Sequence, residues 1–68
     1  MRLALKTAIL KKFGPGRQYV AAREAGISEN ALSRIVVGRR EPTETERREI
    51  ARALEVPDRE LFSSEETG

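Results

Sequence analysis

The stretch EAGISENALSRI, residues 24–35, places Gly26 and Ser28 between two segments that both have the composition of helices. Glycine adopts a left-handed backbone easily and often ends a helix, whereas serine can accept a backbone hydrogen bond at a helix N-terminus. One helix is therefore predicted to end at Gly26 and the next to begin after Ser28. Because the turn is so short, the two helices must cross at a steep angle instead of forming an antiparallel hairpin.

A steep crossing needs a small side chain where the helices meet, and Ala22, four residues before Gly26, supplies one. The apolar residues around it are spaced so that both helices face one core. They are Ala21, Ala25, Ile27, Leu32 and Ile35. This spacing is that of a DNA-binding helix-turn-helix, whose second helix enters the major groove. Ala22 and Gly26 are thus predicted to set the geometry of the turn.

Helical signals continue on both sides of this turn. An apolar repeat precedes the breaker cluster at residues 14–16 and predicts a first helix. It consists of Leu3, Leu5, Ile9, Leu10 and Phe13. Thr43 and Glu46 have capping-box spacing and predict the start of a fourth helix. Pro57 is expected in the first turn of a last short helix that carries Leu61 and Phe62.

The predicted fold class is all-α, a compact bundle of about five short helices that contains a helix-turn-helix, since no strand pattern or internal repeat is found. Residues 1–62 are expected to form the helix-turn-helix domain and residues 63–68 a polar, frayed tail. A chain of 68 residues has room for one small core, so a deep substrate pocket is not expected.

The composition argues against an enzyme. The chain contains no Cys and no His, which removes thiol nucleophiles, imidazole bases, disulfides and nearly every zinc site. The glutamates of residues 41–49 fit a charged helix, and no glycine-rich phosphate loop is present. We therefore expect no catalysis, no cofactor, no metal and no small-molecule substrate. No apolar run approaches the roughly 20 residues that cross a bilayer, so we expect no membrane partner and a cytoplasmic, nucleoid-associated location.

The charge is divided unevenly along the chain. Residues 1–40 contain nine basic and two acidic residues, a net charge of +7, whereas residues 41–68 contain four basic and nine acidic residues, a net charge of −5. A basic segment of this kind favours a polyanionic partner. Two solvated faces of opposite sign would give the same distribution, so the charge alone does not decide between the two interpretations.

Residues 18–62 resemble the helix-turn-helix domain of the Cro and lambda-repressor (XRE-like) type. The shared pattern is Q-x-x-x-A-x-x-x-G-I-S-x-x-x-L-S-R-I-x-x-G-R-x-x-P, followed by I-A-x-A-L-x-V and L-F. The resemblance implies a five-helix bundle that binds operator DNA, usually as a dimer, and acts as a repressor or regulator. The chain departs from the family at Gly16, where an apolar residue is common, and at Val36 and Val37, where charged residues are frequent.

The recognition helix is predicted over about residues 28–37. Arginine is the commonest base reader through guanine, asparagine can pair with adenine, and glutamate can accept from cytosine. The residues predicted to read bases are Glu29, Asn30, Ser33 and Arg34. The residues predicted to contact phosphate are Arg17, Gln18, Ser28, Arg39 and Arg40. Simpler roles stay open: Arg34 could pair with Glu29 or Glu41, Asn30 could face solvent, and Ser28 could be a helix cap.

These features predict sequence-specific binding of double-stranded DNA by a small transcriptional regulator, most simply a repressor. The alternatives are an antitoxin component or a protein–protein interaction module with Val36 and Val37 at its apolar centre. One recognition helix reads too few base pairs for specificity in a genome, so we expect a weak homodimer that is completed on a pseudo-palindromic operator. Its interface is expected after the third helix or around Leu61 and Phe62.

Overall fold

A computed structural model describes residues 1–62, which form five helices. Their bounds are α1 Leu3–Phe13, α2 Gln18–Ala25, α3 Glu29–Val37, α4 Glu44–Leu54 and α5 Asp58–Phe62. The described residues contain no strand. The prediction of an all-α bundle of about five short helices is therefore confirmed. The tail predicted at residues 63–68 lies outside the described residues.

The second helix is the centre of the bundle. α2 packs most extensively against α4 and also contacts α3 and α1. Its buried residues, Ala21, Ala22 and Ala25, carry only a methyl group, so the neighbouring helices can approach its backbone closely. The largest fully buried side chains come from the surrounding helices and are Leu5, Leu32, Ile35, Ile50 and Leu61. α2 thus fills the middle of the core with little side-chain volume.

The apolar pattern of α1 extends beyond the face that is buried. Leu5 and Ile9, one helical turn apart, lie in the core, whereas Leu3 and Leu10 are 68% and 42% exposed. At about 100° per residue, Leu3 and Leu10 lie about 200° and 140° around the helix from Leu5. The repeat predicted the helix, and these two leucines lie on the side of α1 that faces away from the core.

The C-terminal ends of α3 and α4 have the same backbone conformation, although only α3 ends at a glycine. Gly38, which ends α3, and Glu55, which ends α4, both have a left-handed backbone, with φ of 91° and 58°. Glu55 is the only non-glycine residue of the described chain with positive φ, and its carboxylate forms an ion pair with Lys12 of α1.

The start of α5 differs slightly from the prediction, because Pro57 immediately precedes α5 and does not lie inside its first turn. Its carbonyl accepts a hydrogen bond from the Glu60 amide.

The capping box at the start of α4 is formed as predicted, and Glu46 also has a second partner. Its Oε1 accepts from the Thr43 amide at 3.0 Å, while Oε2 accepts from Nη2 of Arg40 at 2.6 Å. The Thr43 amide and the Arg40 guanidinium hold the pKa of Glu46 below its usual value of 4.5, although partial burial acts in the opposite direction. A single carboxylate therefore ties the loop before α4 to the helix.

The Glu46 contacts predict a pH-dependent contribution to stability. Because the folded pKa is lowered, the contribution is fully present above the ordinary value of 4.5 and is lost as the pH falls through the folded value. Glu46→Gln can retain the cap but loses the charge, so we expect it to lower the free energy of unfolding by about 1 kcal/mol at pH 7. Thermal melts between pH 7 and pH 3 measure this difference, which should shrink towards zero in acid.

The matched control for this experiment is Glu44→Gln. Glu44 lies in the same first turn, and its carboxylate is 79% exposed in a surface pair with Arg48. Such pairs contribute about 0.5 kcal/mol or less. A Glu46→Gln deficit that stayed constant down to pH 3, or that matched Glu44→Gln, would contradict the assignment.

Candidate nucleic-acid interface

The turn between α2 and α3 is built by local hydrogen bonds. Gly26 is left-handed, with φ 76° and ψ 24°, and its amide bonds to the carbonyls of Ala22 and Arg23. The Ile27 amide also bonds to the carbonyl of Ala22, at 3.0 Å. The side chain of Ser28 then accepts from the Ala31 amide at 3.0 Å and caps α3. Two residues thus separate the end of one helix from the cap of the next.

One face of α3 is buried and the other is available to a partner. Leu32, Ile35 and Val36 lie in the core. The residues predicted to read bases lie on the remaining surface, where Glu29, Asn30 and Arg34 are exposed and Ser33 is partly exposed. They occur as two adjacent pairs four residues apart, which places them on one side of a helix. The structure therefore brings the four predicted base-reading residues onto one accessible stripe.

The side chains of this stripe are not engaged elsewhere in the described part of the chain. Within residues 1–62, neither Arg34 nor Asn30 forms a side-chain hydrogen bond or an ion pair. Glu41, one of the partners considered for Arg34, instead pairs with Arg2 at 2.9 Å. A long guanidinium with no acceptor within the fold is suited to binding an external one.

The residues predicted to contact phosphate differ in how available they are. Arg17 and Arg39 are exposed and have no side-chain partner within the described residues. Gln18 is partly buried at the first position of α2, whose N-terminus has no side-chain cap. Arg40 differs, because its guanidinium is bound to Glu46 and its side chain is only 35% exposed. A contact between Arg40 and phosphate would have to share or replace that carboxylate.

Sequence reasoning did not identify a special role for Arg2. This residue is only 4% exposed, and its backbone amide bonds to the Val36 carbonyl at 2.8 Å. Its guanidinium donates to the carbonyls of Ile35 and Arg40 as well as pairing with Glu41. The one available signal was a charged residue three positions before the first buried leucine of α1, which is too common to predict burial.

Two other features are absent from residues 1–62. No group of three or more acidic side chains in this range is arranged to hold a metal ion. None of the helices described there is both long and apolar enough to cross a membrane. The turn between α2 and α3, together with the accessible side of α3, has a geometry that matches a known mode of nucleic-acid binding.

Comparison with known proteins agrees with this geometry. A helix-turn-helix family model matches residues 17–61, about two thirds of the chain. The chain belongs to the Cro/C1-type helix-turn-helix family. No curated protein and no solved structure gave a significant match. Family membership confirms the resemblance inferred from the sequence, and it identifies the chain as a DNA-binding helix-turn-helix protein of the regulator type, a family of binding domains and not of enzymes.

The left-handed turn predicts a large effect of Gly26→Val. A Cβ added at Gly26 meets no atom within 4 Å, so the cost comes from the backbone conformation and not from a clash. A β-branched residue is strongly disfavoured there, and we expect the free energy of unfolding to fall by about 2 kcal/mol. Gly26→Asn should cost about half as much, because asparagine tolerates the left-handed region. Thermal melts of the two variants measure the difference.

Helix propensity makes the opposite prediction for this position, since valine is a better helix former than glycine. An unchanged or raised melting temperature for Gly26→Val would therefore mean that residue 26 does not adopt the left-handed turn in solution.

Proposed function

We propose that this protein binds double-stranded DNA sequence-specifically as a small transcriptional repressor, with α3 in the major groove. The observation that carries the proposal is the accessible stripe on α3, where Asn30 and Arg34 have no partner within the described residues. Binding to chromosomal DNA would place the protein in the cytoplasm, at the nucleoid.

The proposed base contacts follow from the chemistry of the stripe. Arg34 is assigned to guanine through two parallel hydrogen bonds, and Asn30 to adenine in the same manner. Glu29 is assigned to the amino group of cytosine, while Ser33 can accept or donate. Because the Glu29 carboxylate repels phosphate, binding is favoured at DNA sites where Glu29 meets a base edge and not the DNA backbone. Discrimination among sequences is therefore proposed to come from α3.

The proposed phosphate contacts lie at the borders of the helix-turn-helix. Arg17 and Gln18 are at the start of α2, where free backbone amides favour an anion. Arg39 follows Gly38, the residue that caps the end of α3, and Ser28 adds a hydroxyl at the beginning of the helix. Arg40 stays in the proposed set, although phosphate must compete with Glu46 for its guanidinium. These contacts would fix the position of α3 in the groove without reading sequence.

The structure weakens the alternative in which the chain docks on another protein through Val36 and Val37. Val36 is buried at 2% exposure, so it cannot form the centre of a docking surface. Val37 is 42% exposed but lies one turn after Ser33, beside the proposed DNA-reading stripe. The expected apolar pair is therefore reduced to one valine on the face assigned to DNA.

The proposed homodimer cannot use the C-terminal end of α5 in the way expected from the sequence. Leu61 and Phe62 are buried in the core of the monomer, at 1% and 6% exposure. The exposed apolar side chains of α1, Leu3 and Leu10, supply another surface for a weak contact. Because this surface is small, we expect a monomer or a weak dimer in solution. Dimer formation would then be completed on a pseudo-palindromic operator.

Two substitutions separate affinity from specificity. Arg39→Ala should weaken binding to all duplexes alike and reduce the slope of log affinity against log salt by about one unit. Arg34→Ala should relax the preference at one base position, with a loss of roughly 1–3 kcal/mol on the preferred site. Selection from random duplexes gives the motif, and titrations at several salt concentrations give the slopes.

The control for both substitutions is Arg48→Ala, which removes a 72% exposed arginine from α4. Its affinity should stay within about twofold of wild type, because exposed charges distant from the interface are screened. If Arg39→Ala changed the selected motif while Arg34→Ala left it intact, the two roles would be reversed. An affinity that barely responds to salt would favour a protein-binding module instead.

The dimer is tested by sedimentation of the protein with a selected duplex. We expect two copies per site, cooperative saturation and half-sites about 34 Å apart, as is usual for helix-turn-helix dimers. Saturation at one copy per site, with a motif that lacks two-fold symmetry, would rule the dimer out.

A further inference from the structure

The guanidinium of Arg2 is buried and binds groups at the end of the recognition helix and in the loop that follows it. Its Nη1 donates to the carbonyl of Ile35 and, at 3.3 Å, to the carbonyl of Arg40. Its Nη2 pairs with the Glu41 carboxylate at 2.9 Å. The side chain of Arg2 is 3% exposed, whereas that of Glu41 is 85% exposed. Residues 35–41 thus supply three acceptors to this buried charge.

The two carbonyls that accept from Arg2 flank the residue proposed to contact phosphate. Arg39 lies between Ile35 and Arg40 in sequence, and its own amide bonds to the Arg34 carbonyl at 2.9 Å. The Arg2 guanidinium therefore fixes the chain on both sides of Arg39. The Arg39 side chain, in contrast, is exposed and makes no contact of its own within the described residues.

This arrangement has a clear physical basis. The carbonyls at the C-terminus of a helix lack partners within the helix and carry partial negative charge, so a cation there is stabilising. The planar fork of arginine can bind several acceptors at fixed angles, which a lysine ammonium on a flexible stem cannot do. A buried charge is costly unless it is paired, and the contact with Glu41 offsets part of this cost.

We propose that Arg2 is a positioning residue for DNA binding: it holds the segment after α3 so that Arg39 faces the phosphate backbone. This inference rests on the proposed function, because it assigns Arg2 an effect on affinity that passes through Arg39. It goes beyond that function by linking the N-terminal residues, which lie outside the region matched by the family, to the DNA interface.

The test is a double-mutant cycle between Arg2→Lys and Arg39→Ala, measured as affinity for a mixed-sequence duplex. Arg2→Lys keeps the net charge, so electrostatics alone predicts no change, whereas loss of the fork should lower affinity about threefold to tenfold. In the Arg39→Ala background the same change should lower affinity less than twofold, because residues that act as a unit are not additive. Arg2→Met should lower affinity more than Arg2→Lys does when Arg39 is present. This loss of affinity should likewise become smaller in the Arg39→Ala background.

The matched control is Lys11→Met, which removes an exposed basic residue of α1 that has no side-chain partner within residues 1–62. Its small loss of affinity should be the same in both backgrounds. Amide hydrogen exchange of the free protein gives a second measurement that needs no DNA. Arg2→Lys should lower the protection of the Arg39 and Arg40 amides, which both bond to the Arg34 carbonyl, while the amides of α4 keep theirs.

The outcomes separate the inference from the proposed function. If wild type binds duplex but Arg2→Lys lowers affinity equally in both backgrounds, or not at all, the positioning role is overturned and the proposed function stands. Unchanged protection of the Arg39 and Arg40 amides in Arg2→Lys likewise overturns it. If wild type binds no duplex at any salt concentration, the proposed function fails and the role of Arg2 fails with it.

Discussion

The close packing of α3 and α4 against the alanine face of α2 is the constraint on which the rest of the structure depends. Ala21, Ala22 and Ala25 are each at most 4% exposed. A larger side chain at any of them would push a neighbouring helix outward, since protein cores have little free volume. The steep turn at Gly26 then determines which face of α3 meets the core. The accessible stripe of α3 is thus a consequence of small residues on another helix.

The parts of this fold that the sequence predicted correctly depend on short-range chemistry. Gly26, the Ser28 cap and the Thr43–Glu46 capping box each involve groups within four residues of one another, so their residue types and spacing are sufficient evidence. The turn between α2 and α3 and the starts of α3 and α4 follow from them. Burial in α1 was less predictable, because an apolar residue can lie on either side of a helix, and Leu3 and Leu10 are exposed.

The contacts that the sequence did not predict join residues far apart in the chain. Arg2 and Ile35 are separated by 33 positions, and Lys12 and Glu55 by 43. With 13 basic and 11 acidic residues, many pairings are chemically possible, and only the folded backbone selects among them. Arg40 is an example. Its residue type and position suggested a phosphate contact, whereas in the structure its guanidinium forms an ion pair with Glu46.

The uneven charge of the chain can be understood from these pairings. Carboxylates of the acidic segment bind basic side chains that hold the framework, as in the pairs Arg2–Glu41, Lys12–Glu55 and Arg40–Glu46. Other arginines keep their charge exposed and have no side-chain hydrogen bond or ion pair within residues 1–62; at the helix-turn-helix these are Arg17, Arg23, Arg34 and Arg39. Because acidic side chains pair with other basic residues, these arginines carry uncompensated positive charge although the net charge of the chain is only +2. The acidic segment would thus leave basic residues of the helix-turn-helix available for the proposed DNA contact, with Arg40 as the exception.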